Sequence, residues 1–172
     1  MGSATLLAMM LCAGCGNKDF GDGLAREVIE AKPVMLDGEQ VLLNGEQIQC
    51  GVQNDFWDTP TQVGDKTIAR LLPKGRELKF FDDVIREAGS QDFSVQMRGE
   101  VPVSFGGAAE IKDTEQGIKM VSAKLGAIVM HSCFSAPLPI MGIHKGQFSA
   151  SALPQLRYSQ SGEIWQFDKI VH

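Results

Sequence analysis

From residue 92 to its end the chain is written almost entirely in short runs that alternate apolar and polar residues or stay apolar: DFSVQMR, VPVSF, GIKMVSAK, LGAIVMHSCF, QLRYSQ and EIWQFDKIV. A period of two sends successive side chains to opposite faces of an extended backbone, so this half is committed to strands. Ser161-Gly162 sits between the last two runs and supplies a hairpin turn. Sequential runs joined this way make an antiparallel sheet, whose apolar face needs a cover.

The first half holds the covering elements. Asp22 or Gly23 starts a helix through LAREVIEAK, with Leu24, Val28 and Ala31 on one face and Pro33 forcing its end. Residues 34–50 change to short runs broken by Asp37-Gly38 and Asn44-Gly45, two dipeptides that suit tight hairpins, which predicts a meander of two or three strands. Residues 53–64 read as a loop and 66–72 as extended, with a turn at Pro73-Lys74-Gly75. Leu78, Phe81, Val84, Ile85 and Ala88 then recur at helical spacing up to Gly89. Over residues 70–78 the string RLLPKGREL resembles the strand-to-helix corner of winged-helix regulators, a likeness that bears on local shape alone. The expected fold is α+β: an antiparallel sheet of meanders and hairpins with one or two covering helices, in a single domain over residues 24–172.

Residues 4–13, ATLLAMMLCA, are nearly all apolar and lead directly into Gly14-Cys15-Gly16-Asn17-Lys18-Asp19. That is about half of the roughly 20 residues a helix needs to cross a bilayer, and the size of a signal-peptide centre. Small residues at Ala13 and Gly14 immediately before Cys15 suit a narrow peptidase cleft. The segment resembles the bacterial lipoprotein signal, in which the cysteine after a Leu-small-small triplet is acylated and becomes the mature N-terminus. Two positions differ: Cys12 stands where the Leu is usual, with Leu11 one place back, and Met1-Gly2-Ser3 carries no Lys or Arg. A translation start upstream would be one economical explanation of the missing basic residues. The resemblance implies a signal peptide over 1–14, fatty chains on Cys15, and a tether over 15–23. Gly16 directly after the cysteine, where Asp would retain the protein at the inner membrane, implies the outer membrane of the bacterial envelope, with the domain facing the periplasm. Several fatty chains on one residue anchor far more firmly than one.

The chain has four cysteines. Cys12 leaves with the signal and Cys15 takes lipid, which leaves Cys50 and Cys133. In an oxidising compartment two spare thiols are most simply one disulfide, with two separately buried thiols as the alternative. The bond would close a loop of about 80 residues, for which chain entropy gives roughly 4 to 5 kcal/mol.

The net charge is −5, with acidic and basic residues interspersed. No cluster of Lys and Arg exists to reward phosphate backbones, so nucleic acid is not an expected partner, and membrane attachment must come through the lipid.

Chemistry-bearing residues are few. His131-Ser132-Cys133, with His144 further on, suggests a thiol beside an imidazole base, or, with Cys50, Met130 or Met141, soft ligands for copper or zinc. Neither reading has a closed motif spacing behind it, and a half-cystine beside an ordinary histidine accounts for the same residues. The carboxylate pairs Asp55/Asp58 and Asp82/Asp83 read as solvated. Phe56 and Trp57 put two large aromatics in a polar loop, which is either a partner-binding anchor or a core plug beneath the loop. The apolar stretch 137–143 is a second candidate recognition surface. Phosphate loops, dinucleotide turns, zinc-protease and serine-hydrolase motifs do not occur in the sequence, so no catalytic residue, metal ligand or cofactor is assigned. Two function classes stay open. One is a non-enzymatic envelope lipoprotein that binds a protein or cell-wall partner, such as an immunity-type inhibitor or an accessory subunit of an envelope complex. The other is a periplasmic enzyme or metal-binding protein with a site near His131, Cys133 and His144.

Overall fold

The computed structural model describes residues 19–82, 84–88 and 92–172; the apolar segment 4–13, Cys15 and Asp83 lie outside the described residues. The elements run α1 (Asp22–Glu30), β1 (Val34–Met35), β2 (Gln40–Leu43), α2 (Gly45–Gln53), β3 (Thr61–Val63), β4 (Lys66–Arg70), α3 (Pro73–Glu77), β5 (Val84–Glu87), β6 (Phe93–Gln96) and β7 (Glu100–Val101). Then follow β8 (Val103–Glu115), β9 (Ile118–Ala127), a 3₁₀ turn (Ser132–Phe134), β10 (Leu138–Pro139), β11 (Gly142–His144), β12 (Gln147–Ser149), β13 (Gln155–Ser161) and β14 (Ile164–Val171). The fold is a sheet-dominated α+β arrangement in which the strand pairs are antiparallel.

Two five-stranded sheets carry the structure. The first has the order β2-β6-β5-β4-β3; the second runs β9-β13-β14, with β8 on the other side of β9 and β10 beside the end of β9. In the second sheet Val121, Ala123, Leu125 and Ala127 of β9 alternate inward and are buried, as are Leu156 and Tyr158 of β13. The hairpin at Ser161-Gly162 forms as the sequence predicts, with Gly162 at φ 63°. The β10 region stitches the sheets together. Ile140 bridges to Val41, and the Met141 N–H donates to the Gln40 carbonyl at 2.8 Å.

Helix α1 packs against both β8 and β14, the outer strands of the second sheet. Ala25 and Ile29, one turn apart, are its buried face, in place of the expected stripe, of which Leu24 and Val28 are half-buried and Ala31 is exposed. Its acidic residues also serve the sheet. The β8 register shifts between Phe105 and Ala108, and the main-chain N–H groups of these two residues donate to Glu30 Oε1 and Asp22 Oδ1, each at 2.6 Å. A bulge that frees backbone donors is thereby satisfied by carboxylates. Phe20 stacks on Tyr158 at 5.1 Å and on Trp165 at 4.6 Å, so the stretch read as a tether through Gly23 ends before Phe20, and the domain begins there.

Five local expectations are corrected. Asn44-Gly45 is no hairpin turn: the Asn44 side chain accepts from the Gln47 N–H at 2.9 Å, the Gln47 side chain accepts from the Asn44 N–H, and this capping box opens α2. Residues 34–50 are accordingly not a meander, since β1 pairs with β7 and β2 with β6, and the expected loop 53–64 contains β3. The helix expected over 78–88 is absent. The chain turns through α3, Lys79 takes φ 61°, Phe81 bridges to Met97, and residues 84–87 form β5 between β4 and β6. Phe81 and Ile85 are four apart, a spacing that fits a helical face and a strand face alike, and two flanking strands supply the hydrogen bonds that settle it. The strand expected through residues 125–134 stops at Ala127, and a 3₁₀ turn carries Cys133.

Candidate functional site

The cysteine pair is a disulfide. Cys50 on α2 and Cys133 in the 3₁₀ turn are bonded, with Cα atoms 5.6 Å apart. Asn54, at the C-terminal end of α2, donates its side-chain amide to the Cys50 carbonyl at 2.8 Å and approaches both sulfurs at 3.6 and 3.5 Å. The Cys133 N–H donates to His131 Nδ1 at 3.1 Å. With its sulfur in the bond, Cys133 has no thiolate to attack a substrate or bind a metal. His144 lies exposed in the β11–β12 hairpin, and among the described residues no hydrogen bond, ion pair or ring contact joins it to His131. Nor do three His, Cys, Asp or Glu side chains meet there in a way that could hold a metal ion.

Phe56 and Trp57 correct the recognition-loop expectation. Trp57 is 0% exposed and Phe56 3%. The Trp57 Nε1 donates to the Ile48 carbonyl at 2.8 Å, and the ring meets Phe81 and Phe134 at 6.1 and 6.2 Å between centroids. Phe56 stacks edge-on against His131 at 4.7 Å. The two aromatics plug the core beneath the loop beside the disulfide, and neither is offered to a partner. In the stretch 137–143, Leu138, Ile140 and Met141 are buried and join the sheets, while Pro137 and Pro139 are exposed on the wall of a cleft of about 330 Å³. Of the carboxylates, Asp58 accepts from the Arg70 N–H at 2.6 Å, Asp82 pairs with Arg98 at 2.8 Å, and Asp55 is exposed.

Two further clefts open the surface between elements. One cleft of about 400 Å³ runs between α1, β1 and β14, lined among others by Val28, Lys32, Met35, Phe167 and Lys169, with Glu39 in its wall. Glu39 is 6% exposed; His172 Nε2 donates to its Oε1 at 3.1 Å, while Oε2 is buried with no partner among the described residues. The sequence separation of 133 between Glu39 and His172 hides the pair from any motif reading.

The other cleft, of about 620 Å³, lies between the first sheet and the β11–β12 hairpin. Its floor follows from the pleat. Ala69, Ile85, Val95, Val41 and Leu43 turn one face of the sheet into the core. The alternate residues Lys66, Arg86, Ser94 and Gln40 therefore share the opposite face. Arg86 stands directly across from Ser94, and Ile68 across from Arg86, which brings Lys66 to the diagonal position. Gln147, Phe148, Ser149 and Ser151 form the hairpin wall. Among the described residues the cleft lining includes two cations, Lys66 and Arg86, and no acid. Reading residues 78–88 as a helix removed Arg86 from this sheet, so the sequence could not show the juxtaposition.

Compared with protein-family models, curated proteins and solved structures, the chain finds no match.

Proposed function

We propose that this chain is an exported lipoprotein of the bacterial envelope, held to the outer membrane through lipid on Cys15, whose disulfide-closed domain binds a protein or cell-wall partner without catalysis. The observation that carries the reading is the use of the cysteines. Beyond the apolar segment and Cys15, the two remaining cysteines meet in one disulfide, Cys50–Cys133, the economy of an oxidising compartment. Open clefts lined by hydrogen-bonding side chains favour binding, and the commitment of Cys133 to a bond removes the nucleophile from the enzyme alternative. An immunity-type inhibitor and an accessory subunit of an envelope complex both fit a small tethered domain of this kind.

The test is metabolic labelling with an alkyne fatty acid during expression in a bacterium, followed by membrane fractionation. The parent chain takes up label and sediments with outer membranes, Cys15→Ala loses both properties, and Gly16→Asp moves to the inner membrane. Label retained by Cys15→Ala overturns the anchor.

A further inference from the structure

The cleft over the first sheet has a composition unlike the molecule around it. The whole chain carries 21 Asp and Glu against 16 Lys and Arg, yet among the described residues this lining holds Lys66 and Arg86 and no acid. Among the described residues neither cation has an ion-pair partner; Asp92, across from Ala88 near the end of the same face, makes no ion pair with Arg86. Two neighbouring cations without a counter-charge repel each other and leave their donors to water, an arrangement that an anion relieves.

The remaining lining limits which anion. Ser94, Ser149 and Ser151 present hydroxyls, and Gln40 and Gln147 present amides, groups that each donate and accept. The wall is fixed in place: the Met141 N–H holds to the Gln40 carbonyl, and the Gly142 N–H donates to the Ala152 carbonyl at 3.0 Å. A Cβ at Gly142 would overlap the Leu153 carbonyl, so the hairpin sits as close to its support as a main chain allows. Within it Ser149 and Ser151 lie with hydroxyl oxygens 3.0 Å apart. Phe148 adds an apolar surface. A cavity of about 620 Å³ is far larger than a bare phosphate and falls in the range of small-molecule sites.

We propose that this cleft binds an acidic sugar, a small hydroxylated ligand bearing one carboxylate or phosphate, with Arg86 and Lys66 on the anion and the serine and glutamine side chains on the hydroxyls. Arg86 supplies a planar fork for two anion oxygens and Lys66 a mobile point charge beside it. The proposal deepens the binding function above, because acidic sugars are what a cell-wall or envelope ligand would present. It does not depend on the anchor, and its test reads binding alone, so a failure here leaves the labelling result standing and the reverse also holds.

The full chain in zwitterionic micelles is titrated with glucose 6-phosphate, glucuronate, glucose and inorganic phosphate, followed by calorimetry and amide NMR. One or both acidic sugars bind and shift amides of Arg86, Ser94, Gln147 and Ser149, the stronger one telling phosphate from carboxylate, while glucose does not bind. Arg86→Gln weakens binding by about tenfold or more, the loss of a charge-assisted contact, and Arg86→Lys weakens it less. Lys169→Gln, in the other cleft, leaves binding unchanged. Arg86 and Lys66 are exposed, so the variants keep the parent melting temperature. The proposal is overturned if neither acidic sugar binds at millimolar concentration, if glucose binds as tightly, if inorganic phosphate matches glucose 6-phosphate, or if Arg86→Gln with Lys66→Gln binds as the parent does.

Discussion

The Tyr158 hydroxyl donates to the Ala25 carbonyl at 3.1 Å, tying the middle of β13 to the first helix across 133 residues of sequence. Phe20 and Phe167 pack their rings against the same tyrosine at 5.1 and 5.6 Å, so the start of the domain and its last strand meet on one side chain.

That burial gives a pH prediction. Removal from water pushes the Tyr158 phenol well above its ordinary value near 10, because the phenolate is the form that loses solvation. The folded state therefore holds a proton that the unfolded state gives up, and stability is full below about pH 10 and falls as pH rises above it. Tyr158 is the only tyrosine, so tyrosinate absorbance reads it alone. Ionisation should appear together with unfolding, and Tyr158→Phe should flatten the alkaline fall in stability at a cost of about 1 kcal/mol for the lost hydrogen bond. A native protein that ionises near pH 10 without unfolding contradicts the packing.

Opening the disulfide removes a constraint on a loop spanning 83 residues between its ends. Paired Cys50→Ser and Cys133→Ser substitutions should lower stability by about 4 to 5 kcal/mol if the effect is wholly chain entropy. Denaturant unfolding with and without reductant checks this. A parent protein whose midpoint is indifferent to reductant would show that the bond does not form.

Gly51 faces the Trp57 indole so closely that an added Cβ would overlap the ring. Gly51→Ala should cost about 1 to 3 kcal/mol by overpacking and shift Trp fluorescence, although alanine normally strengthens a helix. A stabilised Gly51→Ala protein would place Trp57 elsewhere.

Glu39 keeps one carboxylate oxygen buried without a partner among the described residues. Replacing it with an apolar side chain of similar length removes that penalty together with the hydrogen bond. Glu39→Met should thus lie within about 1 kcal/mol of the parent or above it, because a buried charged group is often no more stable than its apolar substitute. His172→Ala, which strips the remaining partner, should lose about 1 to 3 kcal/mol. If Glu39→Met proves the worse of the two in urea unfolding, an ordered water satisfies the second oxygen.

Much of the second sheet was legible in the sequence. Strands β9, β13 and β14 alternate strictly enough for one face to be apolar, and Ser161-Gly162 has no role but a turn; the helix from Asp22 and the Cys50–Cys133 pairing also follow from local periodicity and cysteine arithmetic. These features are set within a few residues or by elimination, so sequence alone suffices.

The rest depended on partners far along the chain. Asn44-Gly45 satisfies a hairpin and a helix cap equally, and only the run it adjoins, packed with Ile48 inward and Cys50 bonded to Cys133, selects the cap. Residues 84–87 became a strand because β4 and β6 offered hydrogen bonds on both sides, outweighing a weak helical period. That one choice also placed Arg86 beside Lys66 and Ser94. Phe56 and Trp57 fit a surface anchor or a plug by composition; the space beside the disulfide, formed by α2, α3 and the 3₁₀ turn, decided in favour of the plug. Sequence thus determined that β9, β13 and β14 extend and that Cys50 pairs with Cys133, whereas register and long-range pairing decided which side chains share a face, since a sheet brings together residues that the chain keeps far apart.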